Sequence, residues 1–134
     1  MIAQENVLSL IASTSVNMQT NTKQTFYTVP TGKVMIVDHI LIRNPSATLA
    51  GAVDTDFGSG ANADDWLLQV TLAGLTGTTH IAKLSQPVQA AGPPIVPVQK
   101  TAYVAADVFG CLVNTDSTGA ATVTMDLWGY IADA

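Results

Sequence analysis

The chain has 134 residues, of which 48% are hydrophobic and only 11% are charged, and its formal net charge is −5. The five lysine and arginine residues stand singly along the chain. The sequence therefore excludes nucleic-acid binding by phosphate neutralisation, which needs clustered positive charge. This length fits one domain, and so few charges predict a surface covered by Ser, Thr, Asn and Gln or partly buried against another chain.

The sequence carries no signal of secretion or membrane insertion. Residues 1–10 lack the basic region and long apolar stretch of a signal peptide, and no run approaches the ~20 apolar residues of a membrane span. We therefore expect a protein made in the cytoplasm, without a membrane partner. Cys111 is the single cysteine and stands in the apolar run 108–113, which predicts a buried thiol.

Turn signals recur at short intervals and divide the chain into segments rich in β-branched and aromatic residues, which is typical of an all-β domain. We predict an antiparallel β-sandwich, jelly-roll-like, with eight or nine strands. The predicted strands cover residues 7–16, 26–29, 33–43, 49–54, 66–72, 80–84, 95–98, 103–114 and 121–131. Residues 1–24 have two interpretations, an N-terminal arm able to reach a neighbour or the first strand of the sandwich that occupies residues 25–134.

The segment 33–43 is apolar on both faces when its residues alternate as in a strand. The first face holds Val34, Ile36, Asp38, Ile40 and Ile42, and the second holds Met35, Val37, His39, Leu41 and Arg43. A two-faced apolar strand is central in its sheet or meets a partner on its outer face. Val34, Ile36, Ile40 and Ile42 are therefore interface candidates, and we predict a homo-oligomer.

The segment 121–131 shows the clearest alternation. Its apolar face is formed by Val123, Met125, Leu127 and Ile131, and its other face by Thr122, Thr124, Asp126, Trp128 and Tyr130. Together with 103–114 it is predicted to form a hairpin through the turn at 116–119. Trp128 and Tyr130 lie two residues apart on the polar face, where they either pack in an inter-subunit contact or in the sandwich core, or line a carbohydrate platform.

One acidic cluster, formed by Asp54, Asp56, Asp64 and Asp65, has some resemblance to a calcium loop. Asp54, Asp56 and Asp65 stand at positions one, three and twelve of such a loop, but Gly58 and Ser59 do not match its pattern. The alternative is a solvated loop that uses Asp and Gly for turn geometry. We favour the solvated loop and predict no bound metal and no other cofactor.

The sequence shows no constellation of catalytic residues. No Gly-x-Ser-x-Gly elbow occurs, and His39 and His80 stand alone without zinc-ligand spacing. Cys111 as a nucleophile would need one of these histidines beside it. We therefore expect a structural or binding module and not an enzyme.

Two stretches resemble a family of viral structural proteins. Residues 26–44 read Phe-Tyr-Thr-Val-Pro-Thr-Gly-Lys, followed by the strand Val-Met-Ile-Val-Asp-His-Ile-Leu-Ile-Arg-Asn, and residues 123–131 close on Trp-Gly-Tyr-Ile. This pattern of strand, Val-Pro-x-Gly-Lys turn, strand and Asn resembles small β-sandwich structural proteins of tailed bacteriophages. The resemblance covers most of residues 25–131.

The resemblance implies a function in the virion. A single stand-alone domain resembles the capsid decoration or cement type, which stabilises the head by bridging major capsid subunits. For this chain it implies a homotrimer on the capsid surface, made in the cytoplasm of a bacterial host, with the major capsid protein as partner and no catalytic residues. The alternative is a module of a tail fibre, spike or baseplate that binds a receptor or carbohydrate.

Overall fold

The computed structural model describes residues 7–86 and 102–134, which form nine strands and contain no helix that could cross a membrane. The strands are β1 (Ser9–Asn17), β2 (Gln24–Thr28), β3 (Lys33–Arg43), β4 (Asp54–Gly58), β5 (Leu67–Val70), β6 (Ala82–Leu84), β7 (Ala102–Val104), β8 (Val108–Thr115) and β9 (Thr122–Asp133). The prediction of an all-β fold is confirmed. The strand predicted at 95–98 lies outside the described residues.

The strands form two antiparallel sheets that enclose one core. Sheet I has the order β1-β9-β3, and β6 and β7 both pair with the remaining edge of β3. Sheet II has the order β2-β8-β4-β5. The antiparallel β-sandwich is thus confirmed, while its jelly-roll character stays a prediction.

Aromatic rings from both sheets meet at Phe109 of β8. Its ring centroid lies 6.2 Å from that of Phe26, 6.0 Å from Trp66 and 5.2 Å from Tyr103. Tyr103 belongs to sheet I, and its hydroxyl donates a 3.0 Å hydrogen bond to Asp65 in the loop that follows β4. This cluster therefore joins the two sheets through apolar contact and one partly buried hydrogen bond.

A β-bulge in β3 makes the predicted division of its faces wrong. The register with β9 shifts between Val37 and His39, so Asp38 is an extra residue in β3. An extra residue reverses the alternation of the side chains that follow it. Met35 and Val37 therefore point into the core together with Ile40 and Ile42. Ile40 and Ile42 are fully buried, whereas Val34 and Ile36 lie on the outside.

The predicted hairpin of the last two strands is also wrong. β8 pairs with β2 and β4 in sheet II, whereas β9 pairs with β1 and β3 in sheet I. The residues between them cross the end of the sandwich, where the Ser117 amide donates to the Met18 carbonyl and the Met18 amide to the Ala121 carbonyl. The two apolar faces thus meet across the core instead of lying side by side.

Two other predicted strands differ from the structure by more than the position of their ends. The segment 103–114 divides into β7 and β8 at a turn where Ala106 has a φ of 74°. The segment 49–54 is mostly a turn around Gly51, whose φ is 93°, and the strand begins only at Asp54. Positive φ angles end a strand because they break its extended path.

Candidate binding face

The outer face of sheet I carries apolar side chains that the strand register places next to one another. Leu10 of β1 and His39 of β3 lie on either side of Trp128 in β9. In the adjacent row, Tyr130 lies beside Ile36 of β3. Because β1 and β3 both bulge at this level, the side chains stay aligned on the outside of the sheet.

This surface is open to solvent in the single chain. Leu10 is 48% exposed, Ile36 42% and Val104 58%, and Trp128 and Tyr130 are half-buried. We refer to Leu10, Ile36, Val104, Trp128 and Tyr130 as the apolar face. A contiguous apolar patch on a soluble chain marks an interaction site more often than an isolated exposed side chain does.

Trp128 is held in place by its neighbour in the same row. The His39 ring stacks on the indole with centroids 5.9 Å apart and planes inclined by 7°, and His39 Nδ1 lies 2.7 Å from Asp38 Oδ2. The indole Nε1 is buried and has no hydrogen-bond partner within the described part of the chain. Trp128 is therefore held by its ring contact with His39 and not by a hydrogen bond from its indole nitrogen.

An ion pair between a buried carboxylate and a partly exposed guanidinium lies beside the apolar face. Asp126 is only 5% exposed, and its Oδ2 accepts a 2.7 Å hydrogen bond from Arg43 Nε while its Oδ1 accepts a 2.6 Å bond from the Ser13 hydroxyl. Burial alone would raise the pKa of the Asp126 carboxyl. The hydrogen bonds from Arg43 and Ser13 and the attraction of the guanidinium outweigh burial and lower this pKa below its usual range.

Removing the guanidinium would leave Asp126 buried without its counter-charge. We expect Arg43→Met to lower the melting temperature by about 5 °C at neutral pH, because an unpaired buried carboxylate is unfavourable. In the wild type, the lowered pKa contributes stability above the unfolded pKa of about 4, and this contribution is lost as the pH falls through the folded pKa. In Arg43→Met, burial raises the pKa of the Asp126 carboxyl. Acid then protonates this group and removes the cost of a buried unpaired charge.

The difference in melting temperature between wild type and Arg43→Met should therefore shrink as the pH falls from about 7 to about 3. Thermal melts followed by circular dichroism over this range measure it. Lys33→Met is the matched control, because Lys33 pairs with the exposed Asp133 and exposed pairs contribute little. A difference that stays constant over this pH range would show that Arg43 contributes packing and not charge.

The acidic residues that the sequence analysis considered for calcium are divided between two places. Asp54 and Asp56 of β4 both accept hydrogen bonds from the Asn114 side-chain amide, at 3.3 and 2.8 Å. Asp65 instead accepts from the Ser59 amide at 2.7 Å and from the Tyr103 hydroxyl. Over residues 7–86 and 102–134, no three His, Cys, Asp or Glu side chains are placed to hold a metal ion.

The candidate nucleophile and both histidines have structural surroundings. Cys111 is fully buried in the core, and this burial raises the pKa of its thiol to about 12. A nucleophilic cysteine needs the opposite, a lowered pKa and some exposure. His80 Nδ1 accepts the backbone amides of Thr76 and Gly77 at 3.2 Å, so this ring stabilises a turn. His39 stacks on Trp128.

Sequence reasoning found part of the apolar face. It identified Ile36, Trp128 and Tyr130, and it placed Ile40 and Ile42 on the same surface, although both lie inside the core. It missed Leu10 and Val104, which join the face only because β1 and β7 pair with the neighbouring strands. No local signal in the sequence indicates which strands will pair.

Comparisons with protein-family models, with curated proteins and with solved structures find no match to this chain. The geometry of the site is therefore the basis for inferring a function. Its components are the apolar face, the stacked Trp128 and the neutralised ion pair beside it.

Proposed function

We propose that the protein is a bacteriophage virion structural protein, a capsid decoration or cement protein that binds major capsid subunits through the apolar face. The observation that carries this proposal is the contiguous and solvent-exposed set of apolar side chains on the outer face of sheet I. The capsid surface is the proposed location, and the bacterial host cytoplasm is the place of synthesis.

The character of the apolar face supports a contact between proteins. Aromatic residues are enriched at the centre of protein interfaces and charged residues are depleted there. The apolar face has two aromatic rings, and Arg43 and Asp126 beside it form an ion pair. A partner that covers this ion pair does not have to strip water from an unpaired charge, which would oppose binding.

The strand order supports the family resemblance. The first strand pairs with the last in sheet I, and β2 pairs with β8 in sheet II. Two sheets linked in this alternating way are expected of a jelly roll, the architecture found in viral capsid domains. The resemblance also implies three copies in the assembly, a number that light scattering on a size-exclusion peak would test.

The proposal predicts that charge on the apolar face abolishes binding to the capsid. We expect Ile36→Asp combined with Val104→Asp to weaken binding to particles that lack the protein by about tenfold or more, because each aspartate would be desolvated at the contact. Binding is measured by co-sedimentation. Function is measured as the temperature at which particles release their genome, with and without added protein. This release temperature should rise only with proteins that bind.

Val53→Asp combined with Leu68→Asp is the matched control. These side chains are 52% and 44% exposed but lie away from the apolar face, Leu68 in β5 of sheet II. The control should bind and protect as the wild type does. Genome release at the same temperature with and without the wild-type protein would reject the cement function.

One observation favours a second candidate, a receptor- or carbohydrate-binding module of a tail fibre, spike or baseplate. Trp128 and Tyr130 lie two residues apart on the same exposed face, and neighbouring rings can stack on sugars. Trp66, the only other tryptophan, is fully buried. A change of tryptophan fluorescence on titration with host surface glycans, absent in Trp128→Phe, would support this candidate over the cement protein.

A further inference from the structure

Strand β1 has an open edge. It pairs with β9 along one side from Ser9 to Asn17, and no other strand of residues 7–86 and 102–134 pairs with its second side. The side chains of Ser13 and Ser15 are exposed on this strand. An open edge leaves a row of backbone donors and acceptors available to a further strand.

The hydrogen bonds at one end of β1 establish which amides point outward. Asn17 and Thr122 lie opposite each other, yet Asn17 bonds through both its amide and its carbonyl to the Gln24 side chain. Thr122 likewise bonds through both groups to Ser46. Asn17 and Thr122 are therefore a non-hydrogen-bonded pair, whose backbone groups point away from each other.

Such pairs alternate with hydrogen-bonded pairs along an antiparallel ladder. The register is continuous from Ala12 to Asn17, so Ser15 and Ser13 also direct their amide and carbonyl groups away from β9. Thr14 and Val16 direct theirs toward β9. At Asn17 the Gln24 amide already takes the place of a partner strand, so the open stretch of the edge ends before Asn17.

From Ala12 to Val16, β1 lacks the side chains that protect an edge strand, and its one bulge lies before this stretch, between Leu10 and Ala12. Edge strands commonly carry a lysine, a proline or an inward-pointing charge that prevents pairing with another chain. The sequence of β1, Ser-Leu-Ile-Ala-Ser-Thr-Ser-Val-Asn, has none of these. Its cross-strand neighbours would be small hydroxyl side chains, which pair favourably with one another.

The lengths of the other edge strands point to the partner. β1 has nine residues, whereas β2 has five, β5 four, and β6 and β7 three each. Among the described edges, only the β1 of another copy matches it in length. Two uncharged copies of β1 also place no like charges opposite each other, and a two-fold axis closes such a contact without leaving further open edges.

We infer that β1 strands of two copies pair in antiparallel fashion around a two-fold axis, with Ser13 of one copy opposite Ser15 of the other. Outward-facing residues must oppose outward-facing residues. The Gln24 cap excludes Asn17, and the bulge before Ala12 excludes Ile11. Only an axis at Thr14 then gives both Ser13 and Ser15 an outward-facing partner. The two five-stranded sheets then form one continuous sheet. This pairing does not depend on the proposed function, because it uses the edge of sheet I and leaves the apolar face free.

Ser15→Pro tests the pairing. The Ser15 amide makes no bond to β9, so proline removes only an outward donor and is tolerated on an edge strand. We expect the variant to stay folded and its mass in solution, measured by light scattering, to fall to half that of the wild type. The mass should halve in either case, whether the two-fold axis joins two single chains or two larger assemblies. Ser15→Thr is the matched control and should keep the wild-type mass.

Hydrogen exchange gives a second readout that does not rely on proline. In the wild type at high concentration, the Ser13 amide should exchange as slowly as the Thr14 amide, which β9 protects in every case. In Ser15→Lys, where a charge occupies the edge, the Ser13 amide should exchange at least about tenfold faster while the Thr14 amide is unchanged. A fast-exchanging Ser13 amide in the wild type, or equal masses for wild type and Ser15→Pro, would overturn the inference.

Discussion

Replacing Gly129 by alanine should lower the free energy of unfolding by about 3 kcal/mol, although the change adds one methyl group. Gly129 lies in β9 between β1 and β3, opposite Ser9 and Val37. A Cβ atom at this position would lie 2.1 Å from the Ile36 carbonyl oxygen and 3.1 Å from Ile11 Cδ1. The oxygen belongs to the backbone of β3 in sheet I, so β3 and β9 would have to move apart.

Gly119→Ala is the matched control for this variant. Its Cβ would meet no atom within 4 Å, so we expect a change within about 0.5 kcal/mol. Chemical denaturation of both variants gives the comparison. If Gly129→Ala were as stable as Gly119→Ala, β9 could not approach β3 as closely as described, and the alignment of Trp128 with His39 would be wrong as well.

Replacing Phe109 by alanine should cost about 3–5 kcal/mol, the largest loss that a single core truncation usually gives. Phe109 is fully buried, and its ring contacts those of Phe26, Trp66 and Tyr103. Alanine would leave a cavity between three rings that belong to different elements and cannot all close on it. Denaturant unfolding followed by fluorescence measures the loss, because Trp66 lies at the edge of the cavity.

Phe109→Leu separates loss of volume from loss of ring contacts. Leucine fills most of the space, so we expect a cost of about 1–2 kcal/mol. Phe26→Ala is a second comparison, because Phe26 lies nearer the surface at 8% exposure and contacts Phe109 and Phe57. A larger cost for Phe26→Ala than for Phe109→Ala would contradict the central position of Phe109.

The alternation of β9 could be predicted from the sequence because the strand is regular. Val123, Met125 and Leu127 are buried as predicted, and Trp128 and Tyr130 lie on the opposite face. The faces of β3 could not be predicted, because a bulge leaves no signature in a strand whose residues are apolar on both sides. The reversal at Asp38 depends on pairing with β9, a partner far away in the sequence.

The acidic segment that resembles a calcium loop also has the alternation of a strand. Asp54 and Asp56 alternate with Thr55 and Phe57, and the latter two are fully buried. This period of two is typical of a strand with one dry face. The charge of these acidic side chains suggested calcium ligands, although their spacing also suits the outer face of β4. The apolar face was only partly predictable, since Leu10 and Val104 join it through pairing between distant strands.

The position of β9 within sheet I has a consequence for synthesis of the chain. β9 is the last of the nine strands to leave the ribosome, yet it lies between β1 and β3. Until β9 emerges, β1 lacks the strand with which it pairs in the described part of the chain, and β3 lacks its longest neighbour. Sheet II can form earlier, because β8 precedes β9. The nascent protein therefore has one sheet with its apolar side uncovered, a state that chaperones bind, and the sandwich is completed only after β9 has emerged.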